Sequence, residues 1–407
     1  PDVIFANGKY HMFFCYREAS DFRRNKERSY KIGYAYSIDL IKWVRDDSKV
    51  GIKTSDEGWD SEMIAYPHIV HLNNKFYMFY LGNEVGKFGF GVAKLGKIFN
   101  PLEFELYDDY VGYAQSPQIL ILDNLVRIYF SIRKESGDGK YISYIQYIEM
   151  DKKFKKILNV SKHEVIPNGD LGCYDEHGIF PINILKHGDK IYAYLSGWSR
   201  RVSVSVETGI GIAISNDNGK TFERLGKGPV LTSSLNEPYL VVDGFVKNYN
   251  NLFHMWYIYG TKWTKKNNES EPERTYKIGH ATSIDGVKWE KDLKQIISDS
   301  IEFECQALPT VIKIHERYHM FFAYRSTFDF RSNTNNAYKI GYAYSDDLLI
   351  WNRDDKNVGI QLSSEGWDSE MMSYPHVFEC EEEVYMLYNG NSFGREGFGL
   401  ARLKRYV

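Results

Sequence analysis

The chain has 407 residues, which is long for one compact domain, and its formal net charge is −3. This balance lacks the basic excess of nucleic-acid-binding proteins, and no apolar run reaches the roughly 18 residues of a membrane span. Aromatic residues make up 16% of the chain, which favours strands. We therefore expect neither a nucleic-acid nor a membrane partner.

Strand-like segments recur along the whole chain in units of about 40–65 residues. Each unit opens with an apolar strand, and an aromatic strand with alternating side chains follows a turn. Second strands of this kind are predicted at residues 9–14, 75–80, 126–130, 190–194 and 252–257. We count seven units, which open near Asp2, Glu62, Gln115, Glu176, Glu237, Glu304 and Glu370. Four-stranded units of this length predict an all-β protein of the β-propeller class with almost no helix.

The chain also contains one long duplication. Residues 2–95 match residues 310–403 at a constant offset of 308, without a gap. The segment Gly-Trp-Asp-Ser-Glu-Met at 58–63, for example, recurs at 366–371, and Tyr-Pro-His follows in both copies. Two units are therefore present twice.

Four units carry a Ser-x-Asp turn that an aromatic residue closes, with the aspartates Asp39, Asp217, Asp285 and Asp347. The turn at 215–222 resembles the Asp-box hairpin of sialidases. Metal binding is one interpretation. We predict instead that each aspartate accepts hydrogen bonds from backbone N–H groups of its own turn.

Residues 95–403 resemble bacterial proteins related to glycoside hydrolase families 43 and 32, in the superfamily that also includes families 62, 68 and 130. The motifs lie at 95–101, 113–117, 128–133, 175–181, 304–309 and 367–370. The resemblance implies a complete five-bladed propeller at 95–407, preceded at 1–94 by the last two blades of a partial copy. The alternative is a single seven-bladed propeller. The duplication covers just the last two units, which favours the first arrangement.

In a propeller, the first strand of each blade lines the central channel. Carboxylates stand at or just before several of these strands: Asp175, Glu176, Glu237, Glu304, Asp368 and Glu370. If they converge, mutual repulsion raises the pKa of at least one of them. Glycoside hydrolysis needs such a pair, an acid for the leaving oxygen and a carboxylate that activates water.

The resemblance implies roles for these residues. Glu304-Cys305 resembles the Glu-Cys motif in which family 32 enzymes place the acid, so Glu304 is predicted as the general acid and Glu176 or Asp175 as the base. Orienting or substrate-binding roles fall to Glu237, Asp368 and Glu370. The first blade departs from the family pattern, because Gln115 stands where an Asp is usual.

Other polar and aromatic residues are predicted to bind substrate, each with a structural alternative. Arg133, Arg200 and Arg325 could clamp an anionic sugar or a phosphate, or form ion pairs between blades. Trp198 could stack on a sugar ring or pack within its blade. His177 could assist proton transfer or be a structural histidine.

The four cysteines fit no zinc spacing, so we predict no cofactor and no metal site, with a structural Ca²⁺ in the channel as the alternative. Dispersed, buried thiols are typical of a reducing compartment, which predicts a cytoplasmic location. Because the chain starts at Pro1 in strand-like sequence, we expect the natural protein to begin upstream.

These observations predict a glycoside hydrolase that acts on an oligo- or polysaccharide. The alternatives are a glycosyl-transferring enzyme or glycoside phosphorylase on the same scaffold, or a non-catalytic glycan-binding propeller. The partial copy should hold no working site, because the counterparts of Glu176, Glu237 and Glu304 would lie before residue 1.

Overall fold

The structure is a computed structural model and describes residues 1–6, 9–72, 75–87, 89–94, 97–99, 110–137 and 139–403. The chain divides into two compact units, Pro1–Gly96 and Lys97–Val407. Strands dominate both units, and the helical segments in the described ranges are single turns of three or four residues, so the predicted all-β class is confirmed. No helix in these ranges has the length and apolar character of a membrane span.

Unit 1 contains two antiparallel sheets. The first has four strands in sequential order, β1 (Asp2–Ala6), β2 (Lys9–Tyr16), β3 (Lys31–Ser37) and β4 (Val44–Arg45). The second has three described strands, β5 (Ala65–Leu72), β6 (Lys75–Leu81) and β7 (Phe90–Lys94). Short helical turns lie at Lys26–Arg28, Asp47–Lys49 and Asn83–Gly86.

Unit 2 opens with strand β8 (Lys97–Phe99), and its next nine strands form one connected sheet, which we divide at its one parallel pairing into sheets 1 and 2. Sheet 1 consists of β9 (Tyr110–Ile121), β10 (Val126–Glu135), β11 (Tyr141–Met150) and β12 (Ile157–Val160). Sheet 2 consists of β13 (Gly178–His187), β14 (Lys190–Arg200), β15 (Val206–Ser215), β16 (Glu223–Arg224) and the short β17 (Leu231–Thr232). One parallel pairing, Ser143 with Gly178, joins the two sheets.

Three further antiparallel sheets complete unit 2. Sheet 3 consists of β18 (Val241–Tyr249), β19 (Leu252–Thr264), β20 (Glu273–Ser283) and β21 (Glu290–Lys291). Sheet 4 consists of β22 (Glu304–Ile314), β23 (Arg317–Ser326), β24 (Lys339–Ser345) and β25 (Asn352–Arg353). Sheet 5 consists of β26 (Ser373–Cys380), β27 (Glu383–Asn389) and β28 (Phe398–Arg402). Helical turns lie at Thr334–Asn336, Asp355–Asn357 and Asn391–Gly394.

The fourth strand of sheet 5 comes from the other end of the unit. Strand β8 pairs antiparallel with β28, through Phe99 with Phe398 and Lys97 with Gly399. Residues 97–99 of the motif at 95–101 therefore form a strand. The rest of that motif lies outside the described residues.

The first strands of the five sheets pack against one another in sequential order, β9 on β13, β13 on β18, β18 on β22 and β22 on β26. Strand β26 in turn contacts β9. Aromatic and aliphatic side chains fill the space between neighbouring sheets, and Trp256, Phe322 and Phe398 are fully buried there. The first strands are therefore the innermost ones of unit 2.

The Ser-x-Asp turns serve the backbone, as predicted. The Asp217 carboxylate accepts hydrogen bonds from the Thr221 N–H (2.9 Å) and from the Ser215 hydroxyl (2.8 Å). Asp39, Asp285 and Asp347 accept equivalent N–H donors two and three residues downstream. These carboxylates hold the hairpins between third and fourth strands closed.

Candidate active site

Every innermost strand of unit 2 contains a bulge at the same place. Two residues of the first strand lie opposite one residue of the second, at 116–117, 180–181, 243–244, 308–309 and 374–375. The second bulge residue is Pro in four cases and Gly in the fifth. Proline has no N–H to donate and glycine tolerates unusual φ angles, so both fit a position that leaves the ladder.

These bulges turn side chains toward a common cleft of about 550 Å³. Phe180, Asp243, Leu308 and Tyr374 are bulge residues that line it. The last three have positive φ angles between 41° and 59°, which non-glycine residues seldom adopt. Backbone strain of this kind is common at functional sites, where the surrounding structure maintains it.

Asp243 is the one carboxylate among the described residues that line this cleft. It is buried, and its Oδ2 accepts a hydrogen bond from the Leu308 N–H at 3.3 Å. Burial raises the pKa of Asp243 to about 7, although this N–H and the charge of Arg274 both favour the carboxylate. A carboxyl group with a pKa near neutrality is suited to act as a general acid.

Arginines and tyrosines form much of the remaining wall. The cleft is lined by Arg133, Arg274, Arg325 and Arg331 and by Tyr113, Tyr141, Tyr276, Tyr338 and Tyr374. The hydroxyls of Tyr276 and Tyr338 are hydrogen-bonded at 2.6 Å. Burial raises the pKa of Tyr276, so its hydroxyl remains protonated at neutral pH.

Several predicted site residues do lie at the cleft. Gln115, Arg133, Arg325 and Trp198 line it. The Gln115 side chain accepts a hydrogen bond from Arg133 Nε at 3.0 Å and donates one to the Phe393 carbonyl at 2.6 Å. Gln115 stands where the family that the sequence resembles usually has an Asp. In this structure its side chain holds Arg133 in place.

Three of the carboxylates that precede or open innermost strands, one each for sheets 2, 3 and 4, do not line the cleft, contrary to the prediction. Each is buried and forms an ion pair with the outermost strand of its own sheet. Asp175 pairs with Arg224 (2.9 Å), Glu237 with Lys291 (2.6 Å) and Glu304 with Arg353 (2.6 Å). A buried carboxylate without a partner would be strongly destabilising, and these three are neutralised inside their sheets.

Glu304 also accepts hydrogen bonds from the Ser300 and Ile301 N–H groups, at 2.9 and 3.2 Å. Its side chain is completely buried. Glu304 thus has no exposed surface and its oxygens are already occupied, a geometry that does not support the predicted role of general acid.

The remaining carboxylates are also absent from the cleft wall. Asp368 is buried and accepts a hydrogen bond from the Tyr388 hydroxyl at 2.9 Å, whereas Glu370 is exposed. Glu176 accepts the Gly172 N–H at 2.7 Å and contacts His177 at 3.1 Å. These contacts keep Glu176, the predicted base, within its own loop.

Two predicted residues lie behind the wall. The His177 ring stacks on Trp198 with centroids 5.8 Å apart, and Trp198 lines the cleft. Arg200 donates to the Ser136 hydroxyl and to the Tyr141 carbonyl, both at 3.1 Å. Arg200 thus connects sheet 2 to sheet 1 and does not line the cleft.

The prediction missed Arg274, which lies on the third strand of sheet 3. It missed Asp243 because it considered only the carboxylates at which the innermost strands open. The X-Pro or X-Gly pair in each of these strands was the available signal, since it marks the bulge. Within the described residues, no group of three or more His, Cys, Asp or Glu side chains is arranged to hold a metal ion.

The fold has known counterparts among solved structures, with identities that support the fold alone. A complex of BT0996 with RGII aligns with a TM-score of 0.58 and 16% identity, over 76% of this chain and 91% of its counterpart. A thermostable family-43 glycoside hydrolase aligns with a TM-score of 0.54 and 14% identity, over 72% and 90%. An exo-1,5-alpha-L-arabinanase from a bovine ruminal metagenomic library has a TM-score of 0.52 and 13% identity, over 74% and 96%. The protein therefore has the β-propeller fold of the family-43 glycoside hydrolases.

No protein-family model matches the sequence. Two curated proteins of Mycobacterium tuberculosis do match, the uncharacterized proteins MT1551 of strain CDC 1551 / Oshkosh and Rv1502 of strain ATCC 25618 / H37Rv. Each is 32% identical over 318 residues, which are 76% of this chain and 98% of the relative. The chain belongs to the same family as MT1551 and Rv1502.

Proposed function

We propose that this protein is a carbohydrate-active enzyme that cleaves a glycosidic bond, with Asp243 as the proton donor. The observation that carries the proposal is the position of Asp243 at an innermost-strand bulge, in a cleft where burial raises its pKa to about 7. A carboxylic acid of this pKa can protonate the leaving oxygen at neutral pH. The family-43 fold supports a carbohydrate as the substrate.

We propose further that residues 97–403 form one closed five-bladed propeller, with sheets 1–5 as the blades. The support is the cyclic packing of β9, β13, β18, β22 and β26 and the addition of β8 to sheet 5. A terminal strand that completes the last sheet leaves that edge paired. On this proposal, unit 1 duplicates sheets 4 and 5 and plays no part in catalysis.

The wall of the cleft favours binding of a sugar. Trp198, Phe180, Phe330 and Phe393 offer aromatic faces, and Tyr276 and Tyr338 offer hydroxyl groups. Apolar and aromatic surfaces with a few convergent polar groups are typical of small-molecule sites. Cleavage by two protein carboxylates is not supported by the described residues, which place Asp243 alone at the cleft.

The test is to assay the full chain on a panel of aryl glycosides and oligosaccharides, with and without phosphate. Asp243→Asn should lower kcat/KM by at least about 100-fold on any substrate that the wild type cleaves. For the wild type, kcat/KM should fall above about pH 7, where Asp243 loses its proton.

Asp60→Asn is the matched control, because Asp60 is equally buried but accepts the Tyr80 hydroxyl at 2.9 Å within unit 1. The activity of the Asp60→Asn variant should equal that of the wild type. Wild-type activity in Asp243→Asn, or an equal loss in both variants, would show that Asp243 is not the proton donor.

A further inference from the structure

The cleft carries a large excess of positive charge. Four arginines line it, and Asp243 is the one described carboxylate in its wall. Arg331 is neutralised by Glu273 at 2.9 Å. Within the described part of the chain, Arg133 and Arg274 donate to neutral groups, the Gln115 amide oxygen and the Ser205 hydroxyl, both at 3.0 Å. Because these partners are neutral, they do not compensate the positive charges of Arg133 and Arg274, which can therefore attract an anion.

Arg325 is the most deeply placed of these arginines. It is 2% exposed, and its guanidinium stacks on the Phe330 ring at 3.5 Å. It donates to the carbonyls of Ser326 and Thr327, at 2.7 and 3.3 Å, while its Nε is buried without a hydrogen-bond partner. None of the described ion pairs includes Arg325. A buried charge of this kind is costly unless an opposite charge compensates it.

The stacking of this arginine is encoded locally. Arg17 is the duplicate of Arg325 in unit 1, and it lies 3.7 Å above Phe22, the duplicate of Phe330. Arg17 also donates to the carbonyl of the next residue, Glu18, at 2.8 Å. The blade alone therefore positions the guanidinium, and Arg17 provides an internal control for the effect of the cleft.

We infer that Arg133, Arg274 and Arg325 form a subsite for an oxyanion next to the acid Asp243. This inference deepens the proposed function and rests on it for the sugar part of the ligand. Guanidinium groups bind phosphate and carboxylate through paired, charge-assisted hydrogen bonds. The ligand class is therefore a sugar together with a phosphate or carboxylate group, and the hydroxyls of Tyr276 and Tyr338 are further donors in the same wall.

The oxyanion has two possible sources, part of the sugar or free phosphate. In the second case phosphate takes the part of a second carboxylate, which the described wall of the cleft lacks. A phosphate oxygen forms a bond to the anomeric carbon as the glycosidic C–O bond breaks, and Asp243 gives its proton to the leaving oxygen. The proton that hydrogen phosphate releases restores Asp243, so the products are a sugar 1-phosphate and an alcohol.

Direct binding to the full chain tests the subsite without a need for turnover. Isothermal titration with inorganic phosphate, glucose 6-phosphate, glucuronate and glucose should show at least one anion binding at least tenfold more tightly than glucose. Arg274→Gln and Arg325→Met should each weaken that anion about tenfold or more and leave glucose unchanged. Arg17→Met, the control, should bind like the wild type.

Arg274 is half-exposed, so its variant tests the inference even if Arg325→Met fails to fold. If inorganic phosphate binds most tightly of the four ligands and turnover requires it, phosphate is identified as the acceptor of the sugar. Tighter binding of glucose 6-phosphate or glucuronate identifies an anionic sugar. Equal binding of anions and glucose, or anion binding that survives both arginine variants, would overturn the subsite. Loss of turnover in Asp243→Asn with intact anion binding separates the subsite from the proposed chemistry.

Discussion

Replacing Asp243 with Asn should make the protein more stable and inactive at the same time. Burial keeps Asp243 protonated up to about pH 7, whereas the same group ionises at 3.8 when exposed. Between these values the unfolded chain releases a proton that the folded chain retains, so folding loses stability as the pH rises. Asn removes this penalty because it cannot ionise.

The size of the effect follows from the two pKa values. A difference of about 3 pKa units corresponds to about 4 kcal/mol when the pH is above both. The stabilisation by Asp243→Asn from this source should therefore grow from about 1.5 kcal/mol at pH 5 to about 4 kcal/mol at pH 8. Contacts that the protonated carboxyl group forms and Asn cannot form would reduce the stabilisation by the same amount at each pH. They would leave the dependence of the stabilisation on pH unchanged.

Urea denaturation of wild type and variant at pH 5, 6.5 and 8 measures this difference. Asp175→Asn is the control with the opposite sign, because Asp175 is buried in an ion pair with Arg224. Its loss should destabilise the fold by about 3–5 kcal/mol at neutral pH. A difference between Asp243→Asn and wild type that does not change with pH would refute a neutral Asp243.

Three other predictions concern groups away from the cleft. Glu304→Gln should destabilise the protein by about 3–5 kcal/mol in urea, because it leaves Arg353 without its buried partner, while the folded fraction retains its kcat/KM. Relative to wild type, His376→Phe should gain about 1.4 kcal/mol of stability for each unit by which the pH falls from 6 to 4 in the same assay. Burial lowers the pKa of His376 to about 3, so the unfolded wild-type chain takes up the proton before the folded chain does, and the wild type loses stability. Asp217→Ala should lower the free energy of unfolding by about 1–2 kcal/mol and leave ligand binding unchanged, because it removes the acceptor for Thr221.

The strands and the Ser-x-Asp turns could be predicted from the sequence because both depend on residues close together in the chain. The duplication is visible by direct comparison of the sequence with itself. Period-two alternation indicates a strand over five to ten residues, and Asp217 finds its partners within four positions. The stacking of Arg325 on Phe330 is local in the same sense, since it forms again between Arg17 and Phe22. The bulges could also have been located from the X-Pro or X-Gly pair in each innermost strand.

The identity of the proposed acid depended on tertiary structure. Glu304 and Asp243 both lie on innermost strands, so sequence position does not distinguish them. Glu304 is neutralised by Arg353, 49 residues downstream, and Asp243 is enclosed with Leu308, 65 residues away. Burial and ion pairing are properties of the assembled sheets, and they distinguish the ion-paired Glu304 from Asp243, whose pKa burial raises. The sequence determined which segments form strands and where they bulge, and only the packing of those strands decided which carboxyl group faces the cleft.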